Sequence, residues 1–107
     1  KGVAAALLMA SVRSALRAYA QDLYHLDEVM NRTNQAMCRD TLDNEFATIF
    51  YGVLDPATLR LTYCNAGHEP PLLLRRTGDG RPTVHDLTEL EGAGLVVCID
   101  PNEQYER

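Results

Sequence analysis

The chain has 107 residues, 46% of them hydrophobic and 23% charged, with a formal net charge of −5. This is the balance of one small globular domain or part of one, and it excludes disorder, collagen and a coiled-coil rod. An acidic balance also argues against nucleic acid as the main partner. The charge is uneven. Residues 1–76 carry eight basic and eight acidic groups, whereas residues 77–107 carry two arginines against seven acids. The last third therefore reads as a solvated acidic edge.

The chain opens on Lys1-Gly2 and an apolar run over residues 3–10. That run is too short for a membrane span and continues as an amphipathic pattern with Arg13 and Arg17, so neither a signal peptide nor a membrane partner is expected. A start at Lys-Gly without Met reads as a fragment excised from a longer protein. Residues 3–23 form a helix by pattern: Leu8, Val12, Leu16, Tyr19 and Leu23 recur at three- and four-residue spacing in an alanine-rich segment. Its early turns are almost wholly apolar, which predicts burial. A second helix follows over residues 26–39, with a stripe of Leu26, Val29, Met30, Thr33, Ala36 and Met37. Asp27 and Glu28 in its first turn and Arg39 in its last suit the helix dipole.

After a polar loop the period changes from 3.6 to 2. Residues 46–54 are aromatic and β-branched on both faces, which predicts a strand between two layers. Asp55-Pro56-Ala57-Thr58 is a turn, and residues 59–65 return with clean alternation, completing an antiparallel hairpin. Pro70-Pro71 interrupts regular pairing. Short strands are predicted at 72–75, 83–87 and 95–99, and a further edge strand near Tyr105. Two helices followed by a β-meander make the fold α+β.

Cys38, Cys64 and Cys98 are odd in number and lack the close spacing of a zinc or redox motif. They read as reduced core residues of a cytoplasmic protein.

Three stretches carry a resemblance: residues 1–10, residues 46–55 from Phe46 to Asp55, and Tyr63-Cys64-Asn65-Ala66-Gly67-His68-Glu69-Pro70-Pro71-Leu72. In this order and spacing they resemble the SpoIIE/RsbU-like branch of the PPM-type, metal-dependent serine/threonine protein phosphatases. Asn31 also fits that family's second helix. The resemblance implies a partial PPM-phosphatase sandwich in which the two helices pack on the β-meander, with residues 1–107 forming the central portion of one phosphatase domain. It implies two Mn²⁺ or Mg²⁺ ions in the complete domain, which lower the pKa of bound water and neutralise charge on the transferring phosphoryl group. It also implies a phosphorylated STAS-type regulator (an anti-anti-sigma protein) as substrate in bacterial signalling.

By the resemblance, the family's metal-binding aspartates correspond to positions before Lys1 and after Arg107, so no residue is assigned as a catalytic group or metal ligand. The chain alone is expected to be inactive, with no metal of its own. Glu69 stands where proline is common, Leu59 where glycine is frequent in the hairpin turn, and Cys98 where glycine is usual.

Five residues remain as candidates for the substrate approach: Lys1, Gly2, Asn65, Gly67 and His68. Backbone N–H groups at the start of the first helix could face a phosphate. Asn65 and His68 could shape the approach to the site, or they could hydrogen-bond backbone in a tight corner where Gly67 supplies an unusual φ. The second reading is the more economical. Asp79-Gly80 reads as a hairpin tip. His25, His68 and His85 read as isolated histidines, and Asp40, Asp43 and Glu45 as a solvated loop.

An alternative function is a non-catalytic binding or dimerisation module that uses Ala5, Leu8, Val12 and Leu16 as its contact stripe. Uncovered strand edges and helix faces predict self-association in either case.

Overall fold

The computed structural model describes residues 2–22, 25–41, 44–75, 80–81, 86–92 and 94–107. Two helices come first, α1 (Gly2–Asp22) and α2 (Leu26–Asp40). A hairpin follows, β1 (Ile49–Asp55) and β2 (Arg60–Ala66), then a second antiparallel pair, β3 (Leu72–Leu74) and β4 (Leu87–Glu89). The fold is α+β, with the meander divided into two two-stranded sheets.

α2 buries Leu26, Val29, Met30, Thr33 and Met37, as its stripe predicts, and also Asn34. His25 precedes it in an extended conformation and makes no side-chain cap, and Asp27 and Glu28 place negative charge in the first turn, where the helix dipole favours it. At the other end the Thr41 hydroxyl donates to the Met37 carbonyl at 2.8 Å.

α1 departs from expectation. Its first turns are exposed rather than buried: Val3 is 78% accessible, Leu7 65% and Met9 66%. Val12 is the one buried residue of this helix, with Leu8, Ala15 and Leu16 partly buried against the same core. The reason is geometric. No described element covers the outer side of the first three turns, and apolar composition cannot bury a face without a partner. Although no apolar run reaches span length, the whole helix is long and apolar enough to cross a membrane by length and composition. Its contact with the core runs through Val12, and the element it packs against is α2.

In the hairpin, Ile49 opposes Ala66 and Asp55 opposes Arg60. Asp55 organises the turn: its Oδ1 accepts from Ala57 N at 2.9 Å, and its carbonyl accepts from Leu59 N at 2.7 Å. Phe50 stacks on Tyr63 with ring centroids 5.2 Å apart. Burial fades along β1, from buried Ile49 to exposed Val53 and Leu54. The strand is thus layered at its start and bare at its tip, which corrects the expectation of two covered faces. The ladder also begins later than predicted, because Ala47 exchanges both backbone hydrogen bonds with Val97, at 3.1 and 2.7 Å.

The predicted strand at 95–99 is absent. Only isolated bridges remain, Ala47 with Val97 and Ala66 with Gly94. Cys98, at φ 81°, breaks the extended path. Side chains of α2 supply what a strand neighbour would have supplied. Asn34 Oδ1 accepts from Cys98 N at 3.0 Å, and its Nδ2 donates to the Asp100 carbonyl at 2.7 Å. Asn31 Oδ1 accepts from Tyr105 N at 2.8 Å. Tyr105 is consequently buried in the core and lies in no strand. The predicted strand at 83–87 is represented by Leu87–Glu89, shifted along the chain, with residues 83–85 outside the described residues. Val12, Met30, Met37, Ile49, Cys64, Ala66, Val97 and Tyr105, with Leu26, form one core beneath the helices.

Candidate functional site

β2 ends in a tight corner that its own sequence builds. Asn65 is buried; its Oδ1 accepts from His68 N at 2.8 Å while its Nδ2 donates to the His68 carbonyl at 3.0 Å. The same amide reaches the Leu90 carbonyl at 3.4 Å, tying the corner to the end of β4. Gly67 sits at φ 68°, and a Cβ there would lie 2.5 Å from Val96 Cγ1 and 2.9 Å from Val96 N. No side chain fits that approach. Gly92 passes the other side as closely: a Cβ would lie 2.5 Å from that of Asn65.

Asn65 and Gly67 are therefore committed to the backbone of the corner. His68 is the member that remains exposed, and its Nδ1 meets Thr48 Oγ1 at 2.8 Å. This pair sits on a groove of about 490 Å³ between α1 and β1, which is also lined by Met9, Arg13, Arg17 and Tyr51. Among the described residues lining the groove there is no carboxylate, so its local charge is opposite to that of the chain as a whole.

The other candidates lie apart. Gly2 opens α1 at φ 84°, exposed, with nothing within 4 Å of where a Cβ would be, and it does not line the groove. Lys1, His85, Asp43 and Asp79 lie outside the described residues. His25 is near the other end of the chain, its Nδ1 2.6 Å from Arg107 Nη1. Among the described residues no three His, Cys, Asp or Glu side chains converge as a ligand group. A pair of divalent ions needs several hard oxygen ligands, and the described residues do not offer that set.

All three cysteines are free thiols. Burial pushes Cys64 up to about 11 and also raises Cys38 and Cys98, so all three are protonated at neutral pH and poor nucleophiles. Sequence reasoning missed Asn34, Thr48 and the two arginines. Asn34 had a signal, since it is a polar residue four after Met30 on an apolar stripe. Thr48 had none, because only the corner brings His68 to it.

The sequence profile of the family described as Stage II sporulation protein E (SpoIIE) matches residues 1–107. Among curated proteins, the chain is 28% identical over 107 residues to "Phosphoserine phosphatase RsbU" of Bacillus subtilis (strain 168), covering all of this chain and 30% of that protein. It is 30% identical over 132 residues to "Protein IcfG" of Synechocystis sp. (strain ATCC 27184 / PCC 6803 / Kazusa), covering 98% of this chain and 20% of that protein. The chain thus spans a third or less of the relatives it matches. No solved structure matches it significantly.

Proposed function

The chain belongs to the SpoIIE family, and from that premise we propose that it forms the scaffold portion of a metal-dependent protein serine/threonine phosphatase domain. The substrate in this reading is a phosphorylated STAS-type regulator in bacterial signalling, and the setting is cytoplasmic. Three free thiols are compatible with that compartment. The relative named as a phosphoserine phosphatase supports the reaction class. The observation that carries the reading is the family match over residues 1–107, joined to an intact corner at Asn65–Gly67–His68.

In this reading the helices and hairpin hold the corner, and His68 borders the substrate approach. The Mn²⁺ or Mg²⁺ ions implied by the family find no ligand set among the described residues, so no step of the reaction is assigned to them here. The 107 residues alone are inactive in this proposal. The test is release of phosphate from a phosphoserine STAS protein in Mn²⁺, comparing this chain with a longer protein that contains it. Turnover by the longer protein only is expected; turnover by the 107 residues overturns the scaffold reading. In the active longer protein, His68→Ala should lower kcat/KM for the phosphoprotein by about tenfold, equivalent to one hydrogen bond.

The second reading, a docking or dimerisation module, is favoured by the bare apolar turns of α1. Its contact stripe needs revision, because Leu8, Val12 and Leu16 are engaged in the core; Val3, Leu7 and Met9 are the available residues. An inactive longer protein that still binds its regulator would select this reading.

A further inference from the structure

We propose that Cys38 and Cys98 form an oxidative modification site, closing to a disulfide in response to a peroxide and tying the segment after β4 to the last turn of α2. The two residues are 60 positions apart, yet they converge on one oxygen. Asn34 Oδ1 accepts from Cys38 Sγ at 3.6 Å and from Cys98 N at 3.0 Å. Cys98 N–H is also within reach of the Cys38 sulfur, and the Thr41 hydroxyl, one turn beyond Cys38, is within reach of the Cys98 thiol. Both thiols therefore sit against the C-terminal turn of α2. Both are partly accessible, whereas Cys64 is fully buried, so a small oxidant in solvent can reach the pair and not the third thiol.

The chemistry balances with one peroxide. A thiolate of the pair attacks a peroxide oxygen, the O–O bond breaks, and the sulfur becomes a sulfenic acid while the departing oxygen leaves as water. The second sulfur then attacks the sulfenic sulfur. The S–S bond forms, the S–O bond breaks, and the oxygen leaves as a second water. Burial raises both thiols, which makes the first step slow at neutral pH. Its rate should climb about tenfold per pH unit between pH 7 and 8, in step with the thiolate fraction.

Trypsin leaves each cysteine in its own peptide: residues 33–39, 61–75 and 77–107 (the Arg81–Pro82 bond resists cleavage). The purified chain is exposed to hydrogen peroxide, alkylated, digested without reductant and weighed. The expected product joins 33–39 to 77–107 within one chain, less two hydrogens, and reverts with dithiothreitol. Separate over-oxidation of the cysteines without a link, a link that includes Cys64, or a link only between chains overturns the proposal. Cys98→Gly keeps a backbone suited to φ 81° and should abolish the link while leaving the circular dichroism unchanged. A disulfide that persists in that variant also overturns it.

Discussion

Leu59 and Cys98 are the described non-glycine residues with a left-handed backbone, at φ 57° and 81°. Both occupy positions where the family resemblance anticipates glycine. A side chain in that region costs about 1–2 kcal/mol, partly offset by the greater unfolded-state freedom of glycine. Leu59→Gly and Cys98→Gly should therefore each stabilise the chain by about 0.5–1 kcal/mol, read as a higher urea midpoint. Asp55 makes a prediction of a different kind. The backbone N–H groups of Ala57 and Thr58 hold its carboxyl below the usual carboxylate range. A depressed folded-state pKa contributes stability above the unfolded value, and that contribution is lost as pH falls through the folded value. The hairpin turn should thus loosen below about pH 4, seen as a shift of the Ala57 and Thr58 amide resonances that Asp55→Ala removes.

Among the elements, α2 is the organiser. Its apolar stripe seals the core, and two asparagines one turn apart, Asn31 and Asn34, hold residues 98–105, beyond the last bridge at Val97. Asn34→Ala leaves the Cys98 amide and the Asp100 carbonyl without these partners, and should cost about 2–3 kcal/mol in urea unfolding. Asn31→Ala, at a less buried position, should cost about 1 kcal/mol. The β1–β2 hairpin and the site of its turn were legible because alternation and Asp-Pro are local signals, whereas the pairing of Asp55 with Arg60, one residue beyond the predicted start of the return strand, was not. The segment at 95–99 was misread for an equally physical reason. Its composition favours a strand, but the backbone turns at Cys98 after a single bridge from Val97 to Ala47, and beyond that point its partner is the Asn34 side chain, which only tertiary contact supplies.

The whole molecule is open. Its Cα radius of gyration is 15.7 Å, against about 13 Å for a compact domain of this length. Its accessible surface is 7960 Å², about 2,000 Å² above the scaling for a monomer of this mass. A standard interface buries only about 800 Å² per partner, so the excess exceeds what one ordinary contact would cover. Exposed Val3, Leu7, Met9, Val53, Leu54, Leu72 and Leu74 supply much of its apolar part. Light scattering should accordingly give a mass above that of one chain, and Leu7→Glu with Met9→Glu should move it toward the monomer. A monodisperse single chain before mutation would refute this.

By itself the sequence determined the two helices, the hairpin and its turn, and the family, because periodicity, turn chemistry and a contiguous Asn-Ala-Gly-His motif are all encoded within short windows. The corner at Asn65 and Gly67 was likewise legible, but only the tertiary structure decided that His68 faces a groove, that Asn34 stands in for a strand, that Cys38 meets Cys98, and that the opening turns of α1 lie bare. Burial and partnership are properties of pairs of distant segments, and a pattern along one segment carries no record of what packs against it.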